Sequence, residues 1–85
     1  MDLTLQFEKP AQRLALFGPA EKNLKLLRDA LGVQLMVRDS ALRITGNKQA
    51  VEQAVTVLEK LRKRLGKRDH IKPGEVQETI ALAAL

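Results

Sequence analysis

The sequence predicts an α+β domain: a three-stranded antiparallel sheet with helices packed on one face, ordered β-α-α-β-β-α, then a C-terminal linker and helix. Three observations carry this prediction. Apolar and polar residues alternate in three short stretches, which marks strands buried on one side only. A glycine-proline step, Gly18-Pro19, separates two runs of helical spacing between the first stretch and the second. The longest apolar stripe, from Val51 to Leu65, repeats at i, i+3, i+4 and i+7.

Each element follows from its residues. Leu3, Leu5 and Phe7 alternate with Thr4, Gln6 and Glu8, as a half-buried strand does. Pro10 breaks that strand and suits the first turn of a helix, where its missing N–H would have no partner anyway. Ala11, Leu14 and Phe17 then recur at helical spacing, and Gly18 ends this short helix. Pro19 opens a second helix, with Glu21 placed where a carboxylate meets the positive end of the helix dipole. Leu24, Leu27 and Leu31 carry it from about Pro19 to Leu31, and Gly32 closes it. Val33, Leu35 and Val37 form the next strand, with Gln34, Met36 and Arg38 on its other face. Asp39-Ser40 makes a turn, because both side chains readily bond their own backbone. Leu42 and Ile44 resume the alternation and complete a hairpin. After Thr45-Gly46-Asn47, the longest helix carries Val51, Ala54, Val55, Leu58, Leu61 and Leu65 as far as Gly66. One-sided strands imply helices over one face of the sheet and water over the other.

The stretch GKRDHIKPG, residues 66–74, reads as a linker. Beyond Pro73, Val76, Ile80, Ala83 and Ala84 mark a further helix that ends in LAAL without a capping residue. A helix of this kind needs a surface to pack on. Residues 1–66 are therefore read as one domain, and 67–85 as a linker and the start of a helix leading into a longer protein.

Composition narrows the function. A chain of 85 residues has room for a single core. It holds no cysteine and one histidine, His70, in the polar linker. That inventory excludes a thiolate metal site, a histidine cluster and a nucleophile–histidine–carboxylate set, so no catalytic residue and no metal ligand is assigned. No G-x-x-x-x-G-K-[ST] loop occurs. The start lacks the layout of a signal peptide and no apolar run has the length of a membrane span, so a cytoplasmic protein without a membrane partner is expected. A net charge of +5 favours a polyanionic partner. Lys60, Arg62, Lys63, Arg64, Lys67 and Arg68 concentrate that charge at the end of the longest helix. Two readings fit this run: cations complementing the negative end of a helix dipole, or a nucleic-acid contact. Phe7 and Phe17 are the only aromatic residues, which excludes a sheet that reads bases by stacking.

Phe17-Gly18, Asn23-Leu24, Leu27, and Gly32-Val33 followed by Leu35 stand at the spacing I-G-x-x-G-x-x-I-x-x-I-x-x-x-x-G-V-x-I. From about Leu3 to Leu65 the chain thereby resembles the type I KH domain. More narrowly, LFGPAEKNLKLLRDALGVQL, LRITGNKQAVEQAVTVLEKL and IKPGEVQETIALA are similar to the amino-terminal segment of PhoH-like ATPases, where a KH-like domain precedes a P-loop ATPase. The resemblance implies a module that binds single-stranded RNA or DNA weakly beside an ATPase domain lying outside these residues. ATP and magnesium would belong to that ATPase, and no cofactor to this chain. By the same resemblance Gly18, Pro19, Ala20 and Glu21 form the turn beneath the nucleic-acid backbone. Lys22 and Lys25 would face phosphates, Arg28 would belong to the same nucleic-acid-binding set, and Arg38 would reach a base edge. Leu16, Leu24, Leu27 and Leu35 would line an apolar groove. One departure stands out: Glu21 occupies the place of the pattern's second glycine, putting a negative side chain where a phosphate would approach the helix start. Pro19 also removes an amide donor. These two residues leave a second reading open, a KH-like domain that packs on its own ATPase domain or on neighbouring subunits without binding nucleic acid.

Overall fold

The alternating stretches pair into a single sheet. A computed structural model describes residues 1–7, 9–68 and 70–84. Its elements are β1 (Asp2–Gln6), α1 (Pro10–Phe17), a 3-10 turn (Pro19–Glu21), α2 (Lys22–Leu31), β2 (Gln34–Arg38), β3 (Ala41–Thr45), α3 (Lys48–Leu65) and α4 (Pro73–Ala83). β3 lies in the middle, antiparallel to β1 on one side and β2 on the other. In register, Leu3, Ile44 and Leu35 form one inward row and Leu5, Leu42 and Val37 the next. Leu42 and Ile44, on the central strand, are fully buried under the helices. Thr4, Arg43 and Met36 form a row on the opposite face and are exposed. The one-sided sheet expected from the alternation is what the chain builds.

Phe7 lies just beyond β1 and turns into the core. Its N–H donates to the Ser40 carbonyl at 2.7 Å, and its ring meets Phe17 edge-on at 5.5 Å. Glu8, expected on the outer side of that strand, lies outside the described residues.

The buried face of α1 differs from the expected stripe. Ala11 is exposed and Leu14 is 68% exposed, while Ala15, Leu16 and Phe17 are buried in sequence. The last turn of this helix descends into the core, so depth rather than angle around the axis decides which residues are covered. In α3 the expected stripe holds and Val57, fully buried, joins it, whereas Val55 is only half-buried. The side-chain oxygen of Asn47 accepts the Ala50 N–H at 2.8 Å and caps that helix.

The final helix finds its packing surface within these residues. Val76 is fully buried and Thr79 nearly so where α4 lies against α2 and α3. Ile71, in the stretch read as a polar linker, is 3% exposed and belongs to the same core. Asp69 of that stretch and Leu85 of the LAAL end lie outside the described residues. Among the described residues, no helix is long and apolar enough to cross a membrane.

Candidate nucleic-acid interface

The turn between α1 and α2 organises the site. Gly18 has φ 80° and ψ 172°, and its N–H donates to the Leu14 carbonyl at 3.0 Å. Pro19 carries no N–H. Ala20 and Glu21 both adopt the left-handed region, at φ 53° and 57°. The Glu21 N–H donates to the Gly18 carbonyl at 3.1 Å, and the Lys22 N–H to the Pro19 carbonyl. The helix expected from Pro19 therefore begins at Lys22. Its start signals, Pro19 and Glu21, produce one 3-10 turn, and two successive left-handed residues redirect the chain before α2. A left-handed residue bearing a Cβ costs roughly 1–2 kcal/mol, which gives the glycine at this place in the resembling pattern a physical reason. The Gly18 amide is spent on α1, and the Glu21 and Lys22 amides on carbonyls of the turn, so its backbone offers a phosphate little.

Asn23 anchors the turn from within. It is 1% exposed, and its side-chain amide donates to the Leu16 carbonyl at 3.1 Å and the Ile71 carbonyl at 3.3 Å. A Cβ added to Gly18 would stand 3.0 Å from that amide nitrogen, so Gly18 serves close packing as well as its backbone angle. The sequence signal for this anchor was a polar residue beside the apolar stripe of α2.

The turn separates two grooves. The first runs between α2 and β2, holds about 290 Å³, and is lined by Glu21, Leu24, Lys25, Arg28, Leu35 and Met36 among others. Five of the residues selected from sequence meet here, and Met36, 51% exposed, adds an apolar surface. Leu16 and Leu27 are each 1% exposed and lie in the core, so they support the groove from below and do not line it. Arg38 is exposed at the end of β2, outside this lining. The groove's charges nearly balance: Glu21 opposes Lys25, and Arg28 is held 3.0 Å from Asp29.

The second groove is larger, about 1100 Å³, between α1, the outer side of the turn and residues 66–68 and 70–73. Gly18, Pro19, Ala20 and Lys22 face it. Leu14 and Ile71 contribute to its floor, and Lys9, Lys67 and Lys72 to its rim. Sequence reading missed this groove, because its walls are brought together from opposite ends of the chain.

The basic run divides in two. Arg62 donates to the Gln6 carbonyl at 3.0 Å and lies over the Phe7 ring at 4.4 Å. Arg64 donates to the Glu75 carbonyl, the Thr79 hydroxyl and the Glu78 carboxylate at 3.1, 3.0 and 2.9 Å. Arg68 grips both Glu75 carboxylate oxygens, at 2.8 and 2.7 Å. That grip, with a bond from the Lys72 N–H, lowers the Glu75 carboxyl to about 2. The three arginines thus hold α3 to β1 and α4, while Lys60, Lys63 and Lys67 are exposed. Among the described residues, no group of three or more His, Asp or Glu side chains is placed to hold a metal ion.

No family profile matches the chain, and no curated protein matches it in sequence. Among solved structures, that of Dim2p from Pyrococcus horikoshii is similar, with a TM-score of 0.74 at 20% identity. The alignment covers 96% of this chain and 48% of that one, so the chain spans about half the length of that structure. At this identity the likeness speaks to the fold alone. Together with the β1-β3-β2 sheet and its helical face, it makes this a KH-like α+β domain.

Proposed function

We propose that this chain is a KH-like module that binds single-stranded nucleic acid, RNA by the family resemblance, weakly and with little sequence preference. The observation that carries the reading is the turn of residues 18–21 standing between two grooves, with exposed Lys22 at one and exposed Lys25 at the other. The net charge of +5 adds a long-range attraction for phosphates. Weakness follows from the engaged amides of the turn and from Glu21. Low specificity follows from the aromatic rings: both are buried, so none is free to stack on a base.

The resemblance of three segments to PhoH-like proteins supports a parent in which this module presents a strand to a P-loop ATPase. In that reading ATP and magnesium bind outside the present residues, and the setting is the cytoplasm. A second reading, an interaction domain docked on its own ATPase or on neighbouring subunits, draws support from the same engaged amides and the carboxylate of Glu21.

Fluorescence anisotropy with a labelled single strand at about 50 and about 200 mM salt tests the first reading, because phosphate contacts make affinity fall steeply with salt. Saturable, salt-sensitive binding at micromolar protein is the expected result. Absence of saturable binding at the lower salt would leave the interaction domain as the reading.

A further inference from the structure

We propose that the strand's phosphate backbone lies in the groove between α1 and residues 66–68 and 70–73, on the Lys22 side of the turn, and not in the groove between α2 and β2. This rests on the nucleic-acid reading above and assigns its site.

The two sides of one turn differ in charge. On the α2 side, Glu21 faces the groove beside Lys25, and Arg28 already has Asp29 at 3.0 Å. A phosphate entering there meets a carboxylate and displaces an ion pair. On the α1 side, Lys9, Lys22, Lys67 and Lys72 are all exposed, and none forms an ion pair among the described residues. No carboxylate appears among the described residues lining that groove. Glu75, two residues beyond Pro73, is occupied by Arg68 and the Lys72 N–H. Four ammonium groups on flexible stems suit a row of phosphates, each acting as a point charge and not as a fork of fixed geometry. The floor is aliphatic: Leu14, 68% exposed, offers contact to sugars and base edges without reading them, and buried Ile71 supports it from below. This side of the turn is also the one that Asn23 fastens to Ile71, so its two walls are held at a set spacing.

The experiment uses a labelled oligouridine of about 12 nucleotides, long enough for one such site. Four phosphate contacts on a single strand predict a slope of log affinity on log salt of about −2.8, or about a 50-fold loss between about 50 and 200 mM. Lys22→Ala with Lys72→Ala should bring the slope to about −1.4, while Lys25→Ala with Arg28→Ala leaves it unchanged. All four side chains are exposed, and circular dichroism melts check that both variants fold. The converse pattern, with the slope lost in the Lys25 and Arg28 variant, overturns this placement and keeps the nucleic-acid reading. A wild-type chain that binds no strand at the lower salt overturns both. Displacement of the strand by a polyglutamate peptide at equal charge would assign the groove to an acidic protein segment and likewise overturn the proposal.

Discussion

The side-chain amide of Asn23 donates to the backbone carbonyl of Ile71 at 3.3 Å, joining two residues 48 positions apart in the chain. The same amide also bonds the Leu16 carbonyl, so one buried side chain ties together the end of α1, the start of α2 and the segment entering α4. Buried carbonyls need partners, and these two have theirs from a single residue. The turn and the groove beside it therefore share their rigidity with the core.

Replacing that amide should be costly. Asn23→Ala removes both donors and leaves the Leu16 and Ile71 carbonyls short of a partner, a loss of about 2–3 kcal/mol. Asn23→Asp, which cannot donate from an ionised carboxylate, should lose at least as much. Urea denaturation of both variants against wild type measures the difference. A change below about 0.5 kcal/mol would mean that the amide does not hold the turn.

The turn itself predicts opposite signs at its two ends. Gly18→Ala places a Cβ 3.0 Å from the Asn23 amide at φ +80°, and should destabilise by about 1–3 kcal/mol. Glu21→Gly relieves a left-handed residue at φ 57°; after the entropy of the added glycine, a gain of about 0.5 kcal/mol remains. Thermal melts of the two variants should move to opposite sides of wild type.

Arg64 should control how firmly α4 is held. Its guanidinium reaches the Glu75 carbonyl, Thr79 and Glu78 together, a set of three that one ammonium cannot match in direction. Because the arginine is about a third exposed, Arg64→Lys is expected to cost only about 1 kcal/mol overall. Hydrogen exchange should show that loss concentrated in residues 73–83, with the strands unchanged. Uniform loss across the chain would show that α4 does not open separately.

Acid should loosen the ends of the chain. Glu75 is lowered from 4.5 to about 2, chiefly by its bond from Arg68, and Asp2 from 3.8 to about 2, chiefly by its bond from Arg43. For groups depressed in the folded state, the stabilisation is complete above the unfolded value and fades as pH falls through the folded one. Melting temperature should therefore drop between about pH 4.5 and pH 2, and Arg68→Ala should flatten part of that decline.

Much of the fold was legible because its signals are local. Alternation placed Leu35 and Val37 on one face of β2, and the stripe from Val51 to Leu65 marked α3, since neighbours in sequence set both periods. The short α1 was harder. Its last turn is apolar on nearly every side, so nothing along the helix indicated that Leu14 would remain outside while Ala15 and Leu16 went in. Glu21 carried a helix-start signal, yet its backbone is left-handed, in the turn where Gly18 lies close against Asn23.

The amino-acid order alone set the strands, the helices, their sequence and the balance of charge, because each depends on residues within a few positions of one another. Tertiary packing decided which charges stay free. Arg62, Arg64 and Arg68 find partners at Gln6, Glu78 and Glu75, while Lys9 and Lys72, distant in the chain, come to line one groove with Lys22. Electrostatic partnership depends on distance in space, and that distance exists only after the chain has closed on itself.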